Sequence, residues 1–188
     1  GQYMTTASQI IDHFLKSPKE PLGDMPVCQG IYALADHDGV LRYVGRTEQG
    51  ILSRVNRYHV TGTRNSHKYS CAYNCGKMFH DQRIANSQQN GTIAKKLRTH
   101  FIRTKCTAIA FTLPDITLHE LKDLEEDVIA GMPTQATSWN NRTVIDPVDY
   151  ETISKEVDTL IREMDWSWEK QQAVKTQAAL YDSITQRE

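Results

Sequence analysis

Long apolar runs are missing from this chain. Hydrophobic residues make up 39% of its 188 positions and lie scattered, with a mean hydropathy of −0.56, so no membrane-spanning helix is expected. Cysteine is scarce as well. Cys28, Cys71, Cys75 and Cys106 are too few and too irregularly spaced for a disulfide framework, which predicts a reduced, cytoplasmic protein. No basic–apolar–small pattern opens the chain, so no secretory signal peptide is expected. Internal repeats are absent too. The length predicts one domain with appendages.

Net charge is nearly absent, at −1, but the balance hides a segregation. Arg42 to Lys105 holds thirteen Lys and Arg against two acids, whereas Cys106 to the end holds seven against sixteen. A strongly basic middle third within a neutral chain is the electrostatic footprint of a protein that meets a polyanion. Ordinary solvated helix faces would be the blander source of the same charge.

Periodicity divides the chain into elements. Thr5 to Lys16 sets Ile10, Ile11, Phe14 and Leu15 on one helical face, and Pro18, Pro21, Gly23 and Pro26 then predict a loop. Two short apolar runs near 28–35 and 40–45 flank Asp36-His37-Asp38-Gly39, a hairpin signature. A short helix is expected over 50–59, with Ile51 and Val55 inward and Arg54 and Tyr58 one turn apart. Residues 60–90 are polar and basic. A helix follows near Thr92 to Arg103, with Ile93, Leu97 and Phe101 inward and Lys95, Lys96 and Arg98 outward, then a strand from Cys106 to Leu113. Thr117-Leu118-His119-Glu120 is a capping box, and Gly131 and Pro133 stop the helix it starts. A long helix is predicted after Asp146-Pro147, with Trp166 and Trp168 packing it onto the domain or, alternatively, forming a dimer contact, and with a fraying Gln-rich tail from Glu169.

Five motifs in order carry the chemistry. Gly30-Ile31-Tyr32 opens the first strand, and Tyr43-Val44-Gly45 followed by Arg46 closes the second, so the hairpin brings two phenols together. Arg54 and Tyr58 follow on a helix, Glu125 lies in Leu124-Glu125-Glu126-Asp127-Val128-Ile129, and Pro133 precedes Trp139-Asn140. Over residues 28 to 142 this resembles the GIY-YIG nuclease family, with longer stretches from Tyr58 to Glu125 and from Pro133 to Asn140. The resemblance implies an α+β fold: a small three-stranded, mostly antiparallel sheet flanked by helices. Its expected parts are an N-terminal helix and loop (1–27), a nuclease-like domain (28–145) with a basic insertion near 60–90, and a C-terminal helical extension (146–188).

The resemblance also implies roles. Glu125 would hold a divalent cation, Mg²⁺ or Mn²⁺, because a hard cation prefers oxygen ligands. Periodicity favours Glu125 over Glu126, since Glu125 borders the stripe of Leu121, Leu124 and Val128. Arg54 would grip the scissile phosphate with its planar donor fork. Tyr32 would act as general base, helped by Tyr43, Arg46 or the metal, because an ordinary phenol pKa of about 10 is too high at neutral pH. Tyr58, or His59 beside it, would orient water, and Asn140 or Asn141 would be the family's late asparagine.

Double-stranded DNA is the implied partner. Arg57, His59, Arg64, Lys68, Lys77, Arg83, Lys95, Lys96 and Arg98 are the candidate contacts, and a homodimer would suit cutting of both strands. A sequence-specific restriction-type endonuclease is the leading expectation. A structure-selective repair or mobile-element nuclease, and a DNA-binding module that does not cut, remain alternatives. His67, Cys71, Cys75 and His80 fall within zinc-ligand spacing, but the Cys pair reads equally well as a buried helix face, and zinc is not expected.

Overall fold

The structure, a computed structural model, describes residues 5–61, 68–81, 83–84, 88–140 and 146–186, and of Lys68 and Gln88 only the backbone. In chain order the main elements are α1 (Ala7–Lys16), β1 (Glu20–Pro21), β2 (Gly30–Ala35), β3 (Leu41–Thr47) and α2. The last is a helical run of three pieces, Ile51–Ser53, Arg54–Tyr58 and His59–Thr61. Then come α3 (Lys68–Cys71), α4 (Gln88–Lys105), β4 (Thr107–Thr112), α5 (Leu118–Gly131), α6 (Tyr150–Glu163) and α7 (Trp168–Thr185). No helix among the described residues is long and apolar enough to cross a membrane.

The chain forms two compact units. One combines Gly1–His59 with Arg103–Thr143, and the other combines Val60–Ile102 with Val144–Glu188. The N-terminal helix thus belongs to the unit that contains the hairpin. The basic insertion and the C-terminal helices share the other.

The first unit is α+β. Its sheet has four strands in the order β1-β4-β2-β3, every pairing antiparallel, where three strands were expected. The extra strand, Glu20–Pro21, is two residues of the proline-rich segment read as loop, and it pairs with Thr107 and Ala108. Proline is acceptable there because β1 is an edge strand. Strand alternation sends Ile31, Ala33 and Val44 to one face, where they join Ile10 and Phe14 of α1 and Leu121 and Val128 of α5 in one core. Each fully buried aliphatic side chain contributes about 1.5–3 kcal/mol. Thr6 caps α1 through a box with Gln9, and Thr117 caps α5 by accepting from the Glu120 N–H.

The hairpin turn is braced by a carboxylate. Asp36 Oδ1 accepts from the N–H groups of Asp38 (2.9 Å) and Val40 (3.0 Å), and Oδ2 accepts from Arg42 Nε at 2.9 Å. Gly30 is required by close approach, because a Cβ there would stand 2.2 Å from the Phe111 carbonyl oxygen on β4.

The second unit buries Tyr69, Tyr73, Met78, Leu97, Phe101, Val157 and Leu160. Asn74 brackets its loop by accepting from His80 N–H at 2.8 Å and donating to His80 O at 3.2 Å. Arg98 is buried rather than outward, and donates to Asn74 Oδ1 at 2.6 Å. Burial lowers its pKa to about 10. Cys75 is buried too, its thiol pushed up to about 12 by desolvation. The Gln-rich tail forms the regular helix α7, held in part by Gln177 Nε2 donating to Phe79 O at 2.8 Å. Trp168 stays 70% exposed and does not pack as expected.

Candidate active site

β3 forms one edge of the sheet, and the candidate residues gather along it. Tyr32 on β2 lies opposite Gly45, and Tyr43 sits two residues before Gly45, which puts both phenols diagonally on the face turned away from the aliphatic core. Their ring centroids are 6.4 Å apart. A Cβ on residue 45 would stand 2.6 Å from the Tyr32 hydroxyl and 2.8 Å from Tyr43 Cε1. The glycine of the second tripeptide therefore makes the room the phenols occupy.

The helix over these rings has an irregularity that changes the roster. Arg54–Tyr58 is π-helical, with His59 N–H bonding to Arg54 O. A π turn closes its hydrogen bond over five residues instead of four, and such turns are common at functional sites. His59, five after Arg54, therefore faces inward and is 3% exposed, whereas Tyr58, four after it, is 40% exposed. His59 Nε2 is 2.8 Å from the Tyr32 hydroxyl, and its ring lies 4.9 Å from that of Tyr43. Four-residue spacing favours Tyr58 in this place, with His59 beside it as the alternative and as a DNA contact, and it is His59 that lies here. Tyr58 instead packs its ring 5.8 Å from the Arg54 guanidinium and 5.6 Å from that of Arg57.

Arg54 acts on Tyr32 through charge and a side-chain hydrogen bond. Its Nε is buried with no hydrogen-bond partner. A buried guanidinium N–H without an acceptor is costly, and a phosphate oxygen is the natural acceptor to complete it. Burial, with the neighbouring Tyr43, pushes the Tyr32 phenol above its usual range, and Arg54 pulls the other way. Tyr43 is raised by burial and by Glu125.

Two side chains complete the open edge of β3. Asn140 Oδ1 accepts from Val44 N–H at 3.0 Å, and its Nδ2 donates to Val44 O at 2.7 Å, imitating a neighbouring strand. The Trp139 N–H donates to Arg42 O at 2.9 Å. Asn140 thus holds the free edge of β3 in position. Two residues along, the backbone of Arg46 faces outward by the same period. Glu125 of α5 meets it there, with Arg46 Nη1 donating to Oε1 at 3.0 Å and the backbone N–H adding support. The Glu125 carboxyl is raised by burial and partly restored by Arg46.

Glu125 is a suitable oxygen donor for a hard divalent cation. It is a largely buried carboxylate, 15% exposed, and no second carboxylate in contact with it is needed when water and phosphate oxygens fill the remaining coordination. Among the described residues, Asp36, His37 and Asp38 bring three candidate ligand atoms within 4.8 Å of one another, but Asp36 is committed to the turn. Cys71, Cys75 and His80 do not form such a group among the described residues, and His67 and Asn141 lie outside them.

The expected DNA contacts divide. Arg57 and Lys96 are exposed and Lys95 is half-buried. Arg83 is exposed and paired with Asp81 at 2.9 Å. Lys77 is held by Asp158 at 2.7 Å, and Arg98 is interior, so neither is a free cation on the surface. Arg64 and the Lys68 side chain lie outside the described residues. Comparison of the chain with protein-family models, curated proteins and solved structures finds no match.

Proposed function

We propose that this chain is a divalent-metal-dependent endonuclease of GIY-YIG type that hydrolyses DNA phosphodiester bonds. The observation that carries the reading is the buried Tyr32–His59 hydrogen bond beside Arg54, with Glu125 close enough to raise both phenols. A phenol, an imidazole, a guanidinium and a carboxylate from three elements suit phosphoryl transfer, which needs charge stabilisation and a positioned base.

Tyr32 retains its proton at neutral pH because burial disfavours the phenolate. With the His59 proton on Nδ1, the phenol donates to His59 Nε2 in the resting site. As water attacks phosphorus, Tyr32 passes this proton to His59 and takes one from the water. Arg54 stabilises the transient phenolate and, through its unpartnered Nε, a non-bridging phosphate oxygen. Glu125 would hold the metal, which when bound neutralises charge on the phosphate and leaving oxygen. Asn140 keeps β3 in register, and Gly45 keeps the phenols in place.

A restriction-type, sequence-specific enzyme is the particular reading, supported by the basic stretch between Tyr58 and Glu125. The test is plasmid nicking with Mg²⁺ and with EDTA. Discrete fragments that need Mg²⁺ and vanish in Glu125→Gln support it. Binding without strand scission, in every divalent ion tried, would leave a DNA-binding module instead.

A further inference from the structure

We propose that Arg46 is a resident cation on Glu125, displaced when a substrate phosphate claims its guanidinium, so that metal and nucleic acid enter the site together. This rests on the reading of Glu125 as the residue that holds the metal. Arg46 Nη1 and Glu125 Oε1 are 3.0 Å apart, with the side chains 32% and 15% exposed. Arg46 is the cation that steadies this carboxylate, while Glu126 and burial act against its charge. A guanidinium and a hard divalent ion seek the same carboxylate lone pairs, so each weakens the hold of the other.

The two partners differ in freedom. Glu125 is fixed in the middle of α5. Arg46 projects from an edge strand on a long, partly solvated side chain. Arginine binds phosphate through a bidentate fork, and a phosphodiester arriving beside Arg54 offers such oxygens. When Arg46 turns to that phosphate, Glu125 loses its counter-ion and gains affinity for a cation. Linkage then requires DNA to tighten metal binding and metal to tighten DNA binding by the same factor. Without DNA, the Arg46 contact keeps divalent ions off Glu125.

The experiment measures Mn²⁺ binding to the whole chain from the loss of the free-ion electron paramagnetic resonance signal. Wild type, Arg46→Met, Arg46→Lys and Glu125→Gln are compared, with and without a mixed-sequence DNA duplex. Arg46→Met is expected to bind Mn²⁺ about tenfold more tightly than wild type without DNA, the ratio equivalent to about 1.4 kcal/mol of lost competition. Arg46→Lys, with a single-point contact, falls between them, and serves alone if the Met variant does not fold. DNA is expected to tighten Mn²⁺ binding to wild type more than to Arg46→Met. Unchanged or weaker Mn²⁺ binding in both Arg46 variants, with binding still lost in Glu125→Gln, overturns the competition while leaving the metal role standing. Saturable binding that persists unchanged in Glu125→Gln overturns both.

Discussion

Gly45→Ala adds one methyl group at the point where the site has least room. The new Cβ would stand 2.6 Å from the Tyr32 hydroxyl, 2.7 Å from Tyr32 Cζ and 2.8 Å from Tyr43 Cε1, whereas ordinary contact begins at 3.4 Å. Tyr32 must therefore retreat by about 0.8 Å, the difference between 3.4 and 2.6. Tyr32 is 1% exposed and lies in a strand bonded on both sides, so the displacement cannot be absorbed by solvent. Overpacking of this kind costs about 1–3 kcal/mol. The 2.8 Å bond to His59 is also disturbed, and misplacement of about 1 Å at a catalytic group costs roughly 10²-fold in rate. The assays are urea unfolding and single-turnover cleavage with Mg²⁺, using Gly23→Ala as control because nothing lies within 4 Å of that position. Gly45→Ala cutting at the control's rate would refute the claim that the spacing of the phenols is what this glycine provides.

The π turn gives a second contrast: His59→Phe should lower single-turnover cleavage roughly 10²–10⁴-fold, the usual contribution of a positioned proton acceptor, while Tyr58→Phe stays within a few-fold. Asn140→Ala should cost about 1–3 kcal/mol in urea unfolding, because the Val44 N–H and C=O both lose their partner, and should slow cleavage without abolishing DNA binding. Alkaline stability gives a third. Because the folded Tyr32 phenol is raised above its unfolded value, its contribution is fully present below about pH 10 and is lost as pH rises beyond it. Wild type should therefore lose on the order of 1 kcal/mol more than Tyr32→Phe between neutral pH and pH 11, read from urea unfolding.

Elements with local signatures were legible. The Asp36–Gly39 turn, the Thr117 cap and the Ile10 and Phe14 face of α1 appear where turn chemistry and 3.6-residue periodicity predict them, whereas Leu15, expected on that face, is 52% exposed. The nearness of Tyr32 to Tyr43 follows from the hairpin alone. What escaped depended on distant partners. β1 exists because Glu20 and Pro21 meet Thr107 and Ala108, nearly ninety residues away, and no period marks a two-residue strand. The exposure of Tyr58 and burial of His59 follow from one extra residue in a helical turn, which is why residue spacing leaves the choice between the two open. Helical spacing sets Arg98 outward with Lys95 and Lys96, and its burial depends on Asn74, which the loop supplies from a different element. Asn140 was legible as a motif residue but not as a substitute strand, since that role is set by the free edge of β3.

Convergence of Tyr32 and Glu125 on one phosphate is most directly measured by a double-mutant cycle on Mg²⁺-dependent plasmid linearisation, with Tyr32→Phe, Glu125→Gln and the combined variant. Groups that act as a unit give strongly non-additive losses, so the combined variant is predicted to be no slower than the slower single one. Losses that simply multiply, or a Tyr32→Phe variant that cuts at the wild-type rate, would contradict the account.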